Sequence, residues 1–341
     1  MNDKSTPKTA GIPKRQFLGG LAMAGTAFAI PTRRTIQYLA VMGMAGLCLP
    51  AFAQDSELNS EESVPAAEPG ALRVLPITAV VGGSRQFNTS IDNGGNFSVN
   101  RYRAAVGVPI RLNDQFVIAG GVTYQMDSYD FGGGFNGWGY INTLTVSAMV
   151  HYRHDEHWAF YGGPIVRTAA EGTDWSNATE GGGALAANYI FNDKLRIGGG
   201  LVVIGQIEDD AQVMPILTAN WKFADDWQLK VGFADLATAG YGARVTWDFA
   251  PKFEWSFDAQ SRKSRFRTQN SSFTSGGVGE ESAITLTTGI TWSPCKCISA
   301  TGFVGVAAAG HVQSETSNGI QLRNDTYDAA PVLGARVNFV F

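Results

Sequence analysis

The sequence predicts an all-β chain, a transmembrane antiparallel up-and-down β-barrel of fourteen strands. Three observations point there. From Leu72 onward, apolar residues alternate with small or polar ones at period two, segment after segment. Tight polar turns and longer Gly-, Asn- and Ser-rich loops join the segments in strict alternation. Large aromatics collect beside the tight turns, in the apolar phase.

The N-terminus is of a different kind. Residues 1–53 hold six basic groups (Lys4, Lys8, Lys14, Arg15, Arg33, Arg34) and one acid, Asp3, which leaves a net charge of −9 for the rest. A chain so charged is not built to coat nucleic acid. Arg33-Arg34, the apolar stretch from Tyr38 and the small residues of Ala51-Phe52-Ala53 form an export signal, with cleavage predicted after Ala53. A second apolar run, Phe17 to Ile30, lies upstream behind Lys14-Arg15. It reads either as a start site placed too early or as a twin-arginine signal. The first is preferred, because the twin-arginine route carries folded cargo and a barrel must reach its membrane unfolded. Residues 54–71, acidic and rich in Pro and Ala, read as a disordered periplasmic lead-in. The barrel is assigned to 72–341.

After Ala53 no run approaches the roughly 18 apolar residues of a spanning helix. With only 16% charged residues, against about 25% in soluble proteins, the chain is expected to cross its membrane with strands. The tight turns are Leu112–Gln115, Arg153–His157, Asn192–Lys194, Ala224–Asp226, Ala250–Lys252 and Ser293–Lys296. The loops are expected near 87–100, 128–141, 171–182, 208–212, 236–240, 267–280 and 312–327. Six turns and seven loops make fourteen strands, with short periplasmic turns and long extracellular loops. Gln228 to Phe249 must hold two short strands, so twelve is the fallback.

Which face meets lipid follows from the side chains. Trp158, Trp221, Trp227, Trp247, Trp255 and Trp292 share the apolar phase beside the tight turns, as a girdle at a membrane boundary does. The opposite phase is polar: Gly242, Arg244, Thr246 and Asp248, then Glu254, Ser256 and Asp258. Buried dry and unpaired, such groups would cost several kcal/mol each, so they are assigned to a lumen.

The chain ends Val337-Asn338-Phe339-Val340-Phe341. With Val337, Phe339 and Phe341 at every second place, this looks like the assembly signal of outer-membrane barrels. Together with hairpins such as Asn188 to Gly200, it makes residues 72–341 resemble bacterial outer-membrane β-barrel proteins, most nearly a family of uncharacterised porin-like barrels. The resemblance implies the cell outer membrane as location. It also implies outer-membrane lipids and the barrel-assembly machinery as partners, the latter through the C-terminal strand. It supplies no catalytic residue.

Parity turns ten basic groups inward: Arg103, Arg111, Arg153, Arg167, Arg196, Lys222, Lys230, Arg244, Arg262 and Arg336. It turns in three acids, Asp248, Glu254 and Asp258. Rings of Arg and Lys are how pores favour anions. The expected function is a passive porin-like channel for small polar solutes, weakly anion-preferring. The alternatives are a plugged or structural barrel that tethers or adheres, and a barrel lipid hydrolase. The hydrolase reading rests on His311, Ser314 and Ser317, whose spacings of three and six do not make a nucleophile–base pair on one strand. The aromatic loop Asp127 to Tyr140 reads as an outer girdle, a sugar-stacking surface or an inward constriction. His151, His154 and His157 read as a solvated turn or a weak metal site. Cys295-Lys296-Cys297 reads as a plain turn, a disulfide or a poor metal site. Cys48 leaves with the signal. No catalytic, metal or cofactor site is expected, and the oligomeric state is not specified.

Overall fold

The computed structural model describes residues 72–135, 137–233, 241–269 and 274–341. The export signal and the lead-in lie outside the described residues.

The alternating segments pair with their sequence neighbours and close on themselves. The strands are β1 (Arg73–Val74), β2 (Thr78–Ser90), β3 (Asn96–Arg111), β4 (Phe116–Gly132), β5 (Tyr140–Arg153) and β6 (Trp158–Glu171). They continue with β7 (Thr179–Asn192), β8 (Leu195–Gln206), β9 (Asp209–Ala224), β10 (Trp227–Phe233) and β11 (Tyr241–Ala250). The last are β12 (Phe253–Arg267), β13 (Val278–Cys295), β14 (Ile298–Glu315), β15 (Gln321–Tyr327) and β16 (Ala330–Val340). β1 extends β2 along β3, and β15 extends β16 along β14. The wall therefore has fourteen staves, and Gln228 to Phe249 does supply two of them.

Closure comes from β16 on β2, antiparallel from Val332↔Gln86 to Val340↔Thr78. Beyond it, Ile77 and Phe341 exchange both backbone hydrogen bonds. No edge is left at the seam, as backbone in lipid requires.

The tight turns owe their shape to short polar side chains. Asn113 Oδ1 accepts the backbone N–H groups of Gln115 and Phe116, both at 2.9 Å. Asp155 Oδ1 accepts those of His157 and Trp158, both at 2.7 Å. Lys252 takes a left-handed conformation, φ 70°, to reverse the chain between β11 and β12.

At the other end the strands outrun the expected loops. β4 continues to Gly132, β7 begins at Thr179, β13 begins at Val278, and β14 and β15 occupy most of 312–327. The sequence there is polar and glycine-rich, which reads as loop, yet ladder hydrogen bonds need no apolar residues. Bulges also reset the faces. Between Ser282↔His311 and Ile284↔Ala308 the strand β14 carries one extra residue, with Ala309 at φ 51°. Val312 and Ser314 consequently turn inward, where both are buried.

The outer face is apolar: Val122, Leu144, Leu185, Leu201, Val213, Leu217, Ile290, Val304 and Leu333 are exposed. Such a continuous band fits lipid, not water. Beside the short turns the rings touch one another. Trp158 meets Tyr189 edge-on at 5.1 Å and Trp227 stacks on Trp247 at 5.4 Å.

The end of β12 leaves the wall together with its partner β13. Among the described residues, β11 follows β12 as far as Tyr241↔Ser261. Beyond that, β12 keeps β13, and Arg267 forms a parallel bridge to Ala170 of β6. β6 and β12 are six staves apart, so the end of β12 crosses the inside of the barrel. Burial agrees: Arg262, Ser264 and Phe266 on one face and Arg265 on the other are all buried. A strand in the wall has only one covered face.

Candidate functional site

The inside of the barrel is the candidate site, and it divides by height. At the short-turn end lies a cavity of about 460 Å³ lined by Arg111, Arg153 and Arg196 with His151, Tyr161 and Asn188. Asp114, Glu156 and Asp193 reach the same cavity from the turns. Cations thus stand within and acids at the rim. Lys222 and Asp248 are exposed at this end; their backbone N–H groups bond to Lys194 O and Asp226 O in the neighbouring turns.

Higher up, the register sets cations side by side. Gly82 pairs with Arg336 on one side and Arg103 on the other. A Cβ on Gly82 would lie 2.8 Å from Arg336 Cβ, so only glycine fits between the two arginines. On the neighbouring strands β11 and β12, Arg244 Nε donates to its register partner Asp258 Oδ1 at 2.6 Å. Glu254 lies within electrostatic reach of Arg244, Lys230, Asp248 and Arg336.

The loop end is filled. Glu281 is fully buried and accepts from Arg101 Nη2 at 3.0 and 2.9 Å, from the hydroxyls of Tyr129 at 2.8 Å and Tyr327 at 2.9 Å, and from Arg262. Asp127 accepts from Gln125 and lies 3.8 Å from Arg262 Nη1. Two guanidiniums and two carboxylates balance there, with enough donors to satisfy a carboxylate out of water. Around them Phe97, Tyr129, Phe131, Phe135, Trp138, Phe266 and Tyr327 form one aromatic cluster. The aromatic loop therefore folds inward and adds to the closure of the mouth.

A second polar layer holds the end of β12. Arg265 donates to Glu280, to Glu315 and to Ile207 O. Arg267 donates to Asn177 O and to Glu208. Arg167 joins Glu180 at 2.8 Å and Arg265 O at 3.0 Å.

Of the thirteen residues assigned inward by parity, Arg103, Arg111, Arg153, Arg167, Arg196, Lys230, Arg244, Glu254, Asp258, Arg262 and Arg336 lie in the ladders, at heights too different to form a single ring, whereas Lys222 and Asp248 fall beside the turns outside the paired register. The expected balance of ten bases to three acids is corrected. Asp127, Glu171, Glu180 and Glu281 are also enclosed, as is Arg101. They fall where strands extend into expected loops or at a loop border. Carrying the parity of Arg103 down to Arg101, and of Thr285 to Glu281, was the signal that could have found them.

The remaining candidates separate. His151 stacks on Tyr161 and His157 on Tyr189, and no metal-holding group of side chains occurs among the described residues. His311 pairs in register with Ser282, and Ser314 faces the opposite way. Cys295 and Cys297 form a disulfide across the β13–β14 turn, so that turn is not plain. Trp158, Trp221, Trp247 and Trp292 are exposed on the outer face, with Trp227 and Trp255 half-buried beside them. On β16, Val337 pairs with Val81, Phe339 with Ala79, and the Phe341 ring stacks on Phe339 at 6.2 Å.

No family model matches the chain, and no curated protein matches it. The likeness to uncharacterised porin-like barrels therefore stays an expectation. Among solved structures it is similar to a FadL homologue of Pseudomonas aeruginosa, at 10% identity over 79% of this chain and 90% of that one, TM-score 0.41. It is similar to an outer-membrane channel of Pseudomonas putida F1, at 11% identity over 82% and 100%, TM-score 0.41. It is also similar to the translocator domain of the autotransporter NalP of Neisseria meningitidis, at 9% over 78% and 89%, TM-score 0.32. Likeness at this level leaves the functional argument to the lumen itself.

Proposed function

We propose that the chain is a porin-like channel of the cell outer membrane, passive, and weakly selective for small anionic solutes over cationic ones. The observation that carries this reading is the roughly 460 Å³ cavity with Arg111, Arg153 and Arg196 on its wall. Above it stand Arg103 and Arg336, side by side across Gly82. Cations on a low-dielectric wall concentrate anions, and rings of them select anions in pores. Lipids contact the apolar band, and the β16 strand is the segment offered to the assembly machinery. The test is single-channel recording in a planar bilayer under a salt gradient. Discrete steps with an anion-directed reversal potential are expected; silence from protein of verified β-sheet content overturns the reading.

A second reading, a plugged barrel serving as a tether or adhesin, is favoured by one observation. The Glu281 network and the aromatic cluster fill the loop end, so conduction requires the 133–139 segment or the end of β12 to give way.

A further inference from the structure

We propose that the small cavity between Arg103, Arg167, Arg262 and Lys263, with Thr123 and Thr145, binds one monovalent anionic group, a halide or the carboxylate of a small solute. This rests on the channel reading in one respect: the cavity lies on the path between the large basic cavity and the closed mouth.

The lining is unusual in composition. Four of its side chains are cations, the other five are neutral and polar, and none is acidic or apolar. The acids that balance these cations stand elsewhere. Arg167 is held by Glu180 at 2.8 Å, Lys263 by Glu280 at 2.8 Å, and Arg262 by Glu281.

Two buried donors on this wall lack a hydrogen-bond partner, Thr123 Oγ1 and Arg262 Nη1. Asp127, at 3.8 Å, gives Arg262 Nη1 charge compensation but no hydrogen bond. Leaving a buried donor unmet is costly, and the cost is larger for a charged one. An acceptor placed between them removes it. Water accepts too, but an anion also gains a charge-assisted hydrogen bond from the Arg262 guanidinium.

The cavity is small, about 30 Å³, with room for a halide or one carboxylate group. The site exists because β12 crosses the lumen: in the wall, Arg262 and Lys263 would point to opposite faces and could not line one cavity.

The experiment uses the refolded full chain. Bromide would be soaked into crystals and located by its anomalous scattering, and its binding in solution followed by bromide NMR line broadening, with acetate as competitor. A bromide peak in the cavity, and broadening relieved by acetate, are expected. Thr123→Val keeps the shape and removes the hydroxyl; it should weaken binding about tenfold with the fold intact by circular dichroism. Arg262→Gln should abolish binding, but it also disturbs Glu281, so Thr123→Val decides. An empty or water-filled cavity at high bromide, or a Thr123→Val titration equal to wild type, overturns the proposal. Bromide bound by a barrel that is silent in bilayers removes the channel reading and keeps the site. Conductance without bound bromide does the reverse.

Discussion

Arg101 of β3 and Glu281 of β13 meet inside the barrel, one guanidinium nitrogen lying 3.0 and 2.9 Å from the two carboxylate oxygens. Both side chains are buried, and Arg262 leans on the same carboxylate. Removing one partner of a buried pair leaves an uncompensated charge and costs about 3–5 kcal/mol. Glu281→Gln should therefore lower the unfolding midpoint in urea, read by tryptophan fluorescence in detergent micelles. It should also raise conductance, because the network is part of what closes the loop end. An unchanged midpoint would mean that Arg101 and Arg262 find other acceptors.

Trp138 locks the same end by packing. Its ring lies 5.0 Å from Phe266 and 5.4 Å from Phe131, both edge-on. It comes from the segment between β4 and β5, and Phe266 from the strand that crosses the lumen. Truncating a buried Trp costs about 3–5 kcal/mol. Trp138→Ala should loosen the closure and increase single-channel conductance or open time several-fold. Identical traces from wild type and variant would show that ions do not pass by this route.

The disulfide between Cys295 and Cys297 encloses a loop of three residues. In the chain-entropy view so short a loop restrains the unfolded chain little, on the order of 1–2 kcal/mol. Thiol titration of the exported protein should find no free thiol, and reduction should leave the barrel folded with a slightly lower midpoint. Unfolding on reduction alone would show that the β13–β14 turn holds far more of the barrel than its size implies.

Asp155 is a titrating turn former. Hydrogen bonds from the Trp158 and His157 backbone N–H groups, in that order of effect, hold its carboxyl below the usual carboxylate range. Because its folded value is depressed, its contribution is present at neutral pH and fades as pH falls through that value. Amide exchange at His157 and Trp158 should stay slow down to the ordinary carboxylate range and accelerate below it. In Asp155→Ala it should be fast at every pH.

The wall was legible in the sequence because lipid imposes a strict period of two and the tight turns carry Asn, Asp and Pro. Trp227, Trp247 and Phe253 announce both the face and the height at which they lie. The loop end was not legible. Once the wall rises past the apolar band, neither face needs to be greasy, so β7 from Thr179 and β13 from Val278 read as loop. Arg265 has the parity of a lipid-facing residue, being in phase with Phe257. It is buried because the end of β12, still paired with β13, turns across the lumen towards β6, a tertiary event that alternation cannot encode. Ala309 likewise shifts the faces of β14, taking the left-handed conformation itself although Gly310 stands next to it in the bulge.

The cavity at the short-turn end makes the sharpest electrical prediction. Arg153 and Arg196 both line it, on strands three staves apart, with Arg111 beyond them. Replacing both with Glu changes the charge of that mouth by four units, while neither belongs to the buried Glu281 network. In a potassium chloride gradient the reversal potential should change sign, from anion- to cation-preferring. The effect should shrink as salt rises, since the screening length falls from about 10 Å at 0.1 M to about 3 Å at 1 M. A reversal potential indifferent to both substitutions at low salt would place the selecting charges higher, at Arg103 and Arg336.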